Sequence, residues 1–445
     1  MKNRFLKLLC GLLCIFLCSG PAASGAAENS PGSVSEIETA ASARVIPGDE
    51  RPEEYLPVLE GRRVALFSNQ SGIVGADIAA RDPDLPFGQD NEGNKTASGE
   101  HILDVLLAEG VDVTVIISPE HGFRGTSDAG FAEDDARDEK TGIPIFSLYN
   151  EDLAAPSWDV MDSFDICVMD IQDVGLRFYT YYISMYRLME VCAREGKPFV
   201  IFDRPNPNGF YVDGPILEEE YKSGVGMLPI PVVHGMTLGE LACMINGEGW
   251  LDAGRNACDL TVIPCLGYTH QTKTGLAVRP SPNLKDMRAV YLYPSTCLFE
   301  NTVVSVGRGT MFPFNIYGSP LLKDAEGFDY AFTPQSMDGA QNPPFEGEEC
   351  YGEDLRLLPL DQILADGIQL SYLVNAYHAV MQASPETAFF GQPDDAGRYW
   401  IDKLSGSDAL RKMICEGKSA QEIKETWQED IADFLDQREP YLLYE

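Results

Sequence analysis

The chain has 445 residues and a formal net charge of −36, with 69 acidic side chains against 33 basic ones. A field of that sign argues against nucleic acid and anionic membrane as partners, and an anionic ligand would need locally placed arginines. The length exceeds what one hydrophobic core usually serves, so two domains are expected.

The first residues read as an address label. Lys2, Arg4 and Lys7 precede the apolar run "LLCGLLCIFLC", which is too short to span a bilayer, and "SGPAASGAA" then suits cleavage near Ala26 or Ala27. Residues 1–27 are therefore expected to be a signal peptide, with the mature chain soluble and secreted or held in the extracytoplasmic cell envelope. A lipid anchor fits less well, because Cys10, Cys14 and Cys18 each follow a leucine where a lipobox requires a small residue. Cleavage would remove three positive charges and no acid, which moves the net charge to −39. The eight later cysteines form no C-x-x-C pair, so neither a zinc site nor a redox motif is signalled, and buried free thiols are expected.

Residues 28–55 are small, polar and proline-dotted, and read as a flexible leader. A recurring unit follows. "RRVALFS" (62–68) is expected to be a strand, "GEHILDVLLAEG" (99–110) a helix closed by Gly110, and "VDVTVIIS" (111–118) the second strand. "IPIFSLY" (143–149), "FDICVMDI" (164–171) and "PFVIFD" (198–203) continue the strands. Residues 176–196 carry apolar side chains at helical spacing. Near-continuous apolar runs alternating with helical patterns are the signature of a parallel sheet covered on both faces. The expected fold is α/β: a Rossmann-like, doubly wound, mostly parallel sheet domain over 56–262, then a smaller α/β (α+β) domain over 263–445. The tail, "SAQEIKETWQEDIADFLDQREPYLLY", reads as one capped amphipathic helix started by Ser419.

Polar residues collect just after the strands, in "SNQSG" (68–72), "PEHGFRG" (119–125), "QDVGLR" (172–177) and "DRPNPNG" (203–209). In open α/β sheets the ligand crevice lies outside the carboxyl ends of the strands, so these loops are expected to wall a single site. Glu120, at the mouth of a buried sheet, suits general-acid work or a helix cap. His121 either orients Glu120 or touches ligand. Asp170 and Asp173 are candidates for a second carboxylate, or for ion pairs with Arg177; Asp203 has the same ambiguity with Arg204. His234 precedes a helix that Thr237 and Glu240 should cap reciprocally. Glu300 ends an apolar run, and Arg308 in "SVGRGT" is placed to grip a carboxylate or phosphate. There is no dinucleotide or Walker fingerprint, no G-x-S-x-G, no H-E-x-x-H and no metal-ligand spacing among the five histidines. Carboxylate-based hydrolysis without a metal or cofactor fits this inventory best.

Taken together, "SPEHGFRG", "DIQDVGLRFYTY", "DRPNP", "PVVHGMTLGELA", "PSPN", "SVGRGT" and the ending "DKLSGSDALR…YLLY" resemble, in that order, the NamZ/YbbC-type exo-β-N-acetylmuramidases, over about residues 60–445. The resemblance implies an envelope enzyme that releases N-acetylmuramic acid (MurNAc) from the non-reducing ends of peptidoglycan-derived saccharides, for example MurNAc-GlcNAc. It implies no protein partner, and it places the site between a Rossmann-like domain and a smaller one. By the same resemblance Glu120 is the catalytic glutamate, with His121 and Asp173 beside it. Arg124, Gln172, Arg177, Asp203, Arg204, Asn206, His234, Glu300 and Arg308 stand as substrate-binding candidates. Two departures, Asn301 and Val303 where Gly and Asn are expected, and Ala277-Val278-Arg279 where a tryptophan is expected, bear on sugar specificity. A non-catalytic muropeptide-binding protein and a hexosaminidase of other specificity are the alternatives.

Overall fold

A computed structural model describes residues 44–79, 82–88, 99–119, 123, 136–148, 158–252, 257–365 and 367–445. Its centre is a sheet with six parallel strands: β1 (Arg63–Ser68), β2 (Asp112–Ser118), β3 (Pro144–Ser147), β4 (Ile166–Asp170), β5 (Phe199–Phe202) and β6 (Leu260–Ile263). Their spatial order is 3-2-1-4-5-6, with a two-residue antiparallel strand, Ala136–Arg137, on the β3 edge. This is the doubly wound Rossmann order, in which the winding reverses between β1 and β4 and opens a crevice at their carboxyl ends. Both strands are paired in register there, Phe67 with Met169 and Ser68 with Asp170.

Side-chain alternation explains why the runs are apolar throughout. Val64 and Leu66 of β1, with Ile166 and Val168 of β4, face a core shared with Tyr55 and Leu59 of α1 (Pro52–Leu59) and with Ile102 and Leu106 of α2 (Ile102–Ala108). Ala65, Phe67, Cys167 and Met169 face the opposite core, built on α3 (Tyr181–Glu195) and α4 (Leu238–Gly247). Each fully buried large side chain here contributes roughly 1.5–3 kcal/mol. That second core runs without a break into the C-terminal part, through Leu292, Phe299 and Tyr317. There α5 (Met287–Thr296), a three-stranded antiparallel sheet of β7 (Ile316–Ser319), β8 (Tyr330–Phe332) and β9 (Cys350–Asp354), and α6 (Leu370–Ala383) form the smaller layer. The architecture has the expected α/β class.

Several local expectations change. The helical pattern of 176–196 becomes helix only at Tyr181, because Leu176 bridges to Val233 and Arg177 turns inward. The tail helix is capped by Ser419 with Glu422 as expected, but it breaks into Ala420–Glu425 and α7 (Gln428–Arg438). Trp427 stands at the break, buried, and its indole N–H donates to Asp213 at 2.9 Å. Residues 44–55, expected to be part of a flexible leader, are instead packed on the sheet. From Arg44 the chain is laid along β6: Ile46 pairs with Leu266, and Gly48 donates to the Asp203 carbonyl at 2.8 Å. A Cβ on Gly48 would lie 2.2 Å from the Ile263 carbonyl oxygen, so only glycine permits that approach. The described cysteines are free thiols, with only Cys243 and Cys415 not buried.

Candidate active site

The crevice is built first by Asn69 and Ser71, in the loop after β1. The Asn69 side-chain oxygen accepts from the Ser71 N–H and hydroxyl, at 2.9 and 2.6 Å. The Ser71 hydroxyl in turn accepts the Gln172 N–H at 2.9 Å, which sews the β1 loop to the β4 loop across the switch point. Gln172 donates its amide to the carbonyls of Asp173 and Pro205, at 2.8 and 2.7 Å, and so ties in the loop after β5. It is a brace for the crevice floor.

Asp173 hangs from that brace. One oxygen accepts the Gly175 N–H at 2.7 Å; the other is buried without a hydrogen-bond partner among the described residues. Burial pushes the carboxyl up to about 7, and only backbone N–H groups pull it down. Gly175 has φ +79°, and a Cβ there would collide with the Asn206 side chain, so the turn that aims Asp173 depends on glycine. The Asn69 amide nitrogen and the Ser118 hydroxyl, at the ends of β1 and β2, are likewise buried and unpartnered among the described residues. A buried polar atom left unpaired costs about 1–3 kcal/mol, so three of them at adjacent strand ends is the pattern of a place meant to be filled.

The opposite wall comes from the second layer. The hydroxyls of Tyr179 and Tyr181 both donate to the Pro280 carbonyl, at 2.7 and 3.1 Å, and Gln70 donates to the carbonyls of Arg279 and Pro280. An aromatic row then runs from Tyr179 through Tyr293 to Phe314, with ring centres 6.3 and 4.7 Å apart. Arg308 lies 5.1 Å over Phe314 and is paired with Glu300 at 2.8 Å, both partly exposed. The "PSPN" and "SVGRGT" segments thus meet the β1 and β4 loops along one surface. Asn301, where the resemblance leads one to expect glycine, has φ +57°; asparagine is the side chain that best tolerates this region, so the turn survives the departure.

Other candidates lie elsewhere. Arg177 pairs with neither Asp170 nor Asp173: it is fully buried and donates to the carbonyls of Pro215, Ile230 and Leu404 at 2.6–3.0 Å. Arg204 pairs not with Asp203 but with Asp170, by two bonds of 2.5 and 2.9 Å, and with Asp49 at 2.6 Å. Burial pushes the Asp49 carboxyl up against the pull of Arg204. Asp203 caps α4, accepting from Thr237, Gly239 and the Tyr444 hydroxyl at 2.6–2.9 Å; burial raises it to about 6. Asn206 holds the Met236 carbonyl and the Asn208 N–H. The "DRPNP", "HGMTLGE" and "YLLY" motifs therefore form a structural knot at the β5 end, which includes the Thr237–Glu240 capping box. His234 is buried and pushed down to about 3; its Nδ1 accepts the Met236 N–H at 3.2 Å, while Nε2 has no partner among the described residues. Glu120, His121 and Arg124 lie outside the described residues. Phe123 between them is buried against His101, which contacts the Asn69 carbonyl at 2.8 Å.

Sequence reasoning flagged the "SNQSG" loop but not Asn69 or Ser71 within it, and it missed Asp49, Tyr179 and Tyr293. Nothing local in the sequence separates a core tyrosine from one, such as Tyr179, whose hydroxyl latches a distant loop. Among the described residues no three His, Cys, Asp or Glu side chains converge as metal ligands.

Two family models cover most of the chain, both of exo-β-N-acetylmuramidase NamZ: the N-terminal one over residues 90–288 and the C-terminal one over 291–444. A peptidoglycan β-N-acetylmuramidase NamZ from Bacillus subtilis (strain 168) is 32% identical over 459 residues, covering 100% of each chain. Among solved structures, a DUF1343 family protein from Bacteroides fragilis NCTC 9343 is 49% identical with a TM-score of 0.75. It matches 90% of this chain and 99% of its own. A second DUF1343 family protein from the same strain is 27% identical with a TM-score of 0.72 and the same coverage.

Proposed function

The chain belongs to the NamZ family of exo-β-N-acetylmuramidases and is a glycoside hydrolase; from that premise we propose that it removes terminal, non-reducing MurNAc from peptidoglycan fragments such as MurNAc-GlcNAc, outside the cytoplasm. The basic, apolar start of the chain supports the location. The observation that carries the reaction is Asp173, a buried carboxyl with one oxygen unspent at the topological switch point.

Glu120 acts as general acid and protonates the leaving sugar oxygen, with His121 positioning it. Three carboxylates compete for the partner role. Asp170 has both oxygens on Arg204, and Glu300 is engaged by Arg308, whereas Asp173 keeps a free oxygen. A group poised near 7 is matched to accepting a proton from water or from the substrate near neutral pH. Asp173 is therefore the general base in this reading. The lactyl carboxylate of MurNAc needs a cation; Arg177 and Arg204 are spent on internal partners, which leaves Arg308 and Arg124 from the original set.

The test is release of nitrophenol from the 4-nitrophenyl β-glycosides of MurNAc and GlcNAc. Wild type should turn over the muramide with at least a tenfold preference, and Glu120→Gln should lose about 10²–10⁴-fold. Equal turnover of both sugars would remove the MurNAc assignment, and a Glu120→Gln variant near wild-type rate would remove the general acid.

A further inference from the structure

The protein has about twice as many acidic as basic side chains, and most described arginines are spent on carboxylates or carbonyls. Arg279 and Lys285 have no carboxylate partner among the described residues. They flank a tight turn in which Ser281 and Leu284 bridge each other, so the two cations leave the ends of one small hairpin. Arg279 is exposed, and no carboxylate among the described residues pairs with it. Lys285 donates to the Thr310 carbonyl at 3.0 Å, with the Met337 sulfur at 3.9 Å, and likewise has no carboxylate bonded to it. The neighbouring Asp286 is turned away, accepting from the Ala289 N–H and the Asn315 amide.

The hairpin is pinned at the crevice. Gln70, Tyr179 and Tyr181 hold the carbonyls of Arg279 and Pro280, and Asn283 donates to the Gly339 carbonyl at 2.7 Å. Through Thr310 it also touches the loop that carries Arg308, whose Nε is engaged by Glu300. Burial and the charge of Arg279 hold the Lys285 ammonium below its ordinary value, with the Asp286 carboxylate pulling partly the other way, so the two cations repel across the turn. Two like charges held near one another, neither bonded to a carboxylate among the described residues, are stabilised by an arriving anion, and the fixed backbone lowers the entropy cost of binding it.

We propose that Arg279 and Lys285 form a carboxylate-binding rim at the mouth of the crevice and make the enzyme selective for acidic saccharides. This rests on the muramidase reading and deepens it. The carboxylate comes from one of two sources of the same chemistry: the free lactyl group of the terminal sugar, or the terminus of a peptide attached through that group. In either case the guanidinium offers two parallel N–H donors and the ammonium a point charge.

The experiment compares wild type with Arg279→Gln and Arg279→Glu on three 4-nitrophenyl β-muramides, bearing a free lactyl carboxylate, its primary amide, and an alanyl peptide with a free terminus. Arg279 is exposed and its side chain bonds to none of the described residues, so both variants should fold; thermal unfolding checks this. The kcat/KM preference for the carboxylate over the amide is expected to fall by about fivefold to tenfold in Arg279→Gln and further in Arg279→Glu, mainly through KM. Added salt should erode the preference in wild type but not in the variants. A drop confined to the free lactyl substrate assigns the rim to that group; a drop confined to the peptide substrate assigns it to the peptide terminus. An unchanged preference on both overturns the proposal. Calorimetric binding of free MurNAc against GlcNAc gives the same comparison without turnover. A wild type that cleaves no muramide would remove the activity reading, and selective binding lost in Arg279→Gln would still support the rim.

Discussion

Asp170 and Asp173 stand three residues apart at the end of one strand, and burial treats them oppositely. Asp170 spends both oxygens on Arg204, whose remaining bond goes to Asp49 in the strap that crosses the sheet end. Asp173 spends one oxygen on a backbone N–H and keeps the other inside the protein without a partner among the described residues. The first arrangement is a charge-paired cluster that fixes three chain segments, although one Asp49 oxygen in it has no partner among the described residues. The second is a retained cost, and proteins keep such costs where a ligand or a proton is to be received.

The largest test of that contrast is Asp173→Asn. As a general base Asp173 should be worth about 10²–10⁴-fold in kcat, with Tm unharmed or raised. The sign follows from linkage. The folded-state carboxyl sits near 7, against 3.8 for the ordinary group, so the native state holds a proton that the unfolded chain has released. Asp173's contribution to wild-type stability therefore falls as pH rises from about 4 to about 7, and the variant should lack that contribution. At pH 8 the variant should be more stable by on the order of 2 kcal/mol. A variant that loses activity and unfolds more readily at pH 8 would make Asp173 a framework residue like its neighbour.

Arg204→Met probes the other side. It leaves Asp49 and Asp170 buried without their cation and should cost about 3–5 kcal/mol, read as a fall in Tm, with KM little changed in whatever folds. Acidification should narrow the gap, because protonation relieves the two stranded carboxyls, as should the triple variant with Asp49→Asn and Asp170→Asn. A raised KM with an unchanged Tm would return Arg204 to the ligand-binding set.

The same contrast explains what could be read from the chain alone. The strands were legible because a sheet covered on both faces needs uninterrupted apolar runs, and their polar sequels marked the crevice. β6, "LTVI", was missed: it is four residues long, and only its last is fully buried. The arginines were misread for a different reason. Local sequence offers Arg177 and Arg204 nearby carboxylates, yet Arg177 finds carbonyls 38, 53 and 227 positions away, and Arg204 reaches Asp49 across 155. Charge type is local information; whether a charge is already satisfied is a property of the fold. Glu120, His121 and Arg124 therefore still rest on motif and position, because they fall outside the described residues.

His234 is the smallest test and the finest, because one ring belongs to both classes. Its Nδ1 accepts the Met236 N–H and helps shape the turn before α4; the other nitrogen then carries the proton and has no acceptor among the described residues. Burial and the nearby charges of Arg438 and Arg177 hold the group near 3, so it stays neutral across pH 5–8. It adds no activity transition in that window. It destabilises the fold as pH drops below about 6.5, where the unfolded chain takes up a proton that the native ring refuses. Asparagine places its oxygen near Nδ1 and offers nothing at Nε2, while glutamine reaches the Nε2 position. If Nε2 donates to the bound sugar, His234→Asn should raise KM about fivefold at nearly constant Tm, and His234→Gln should recover part of that loss. If both variants lower Tm by several degrees and leave KM alone, His234 joins Asp170 and Arg204 in the framework, and Asp173 remains a buried carboxyl with an oxygen unpaired among the described residues on the β4 side of the crevice.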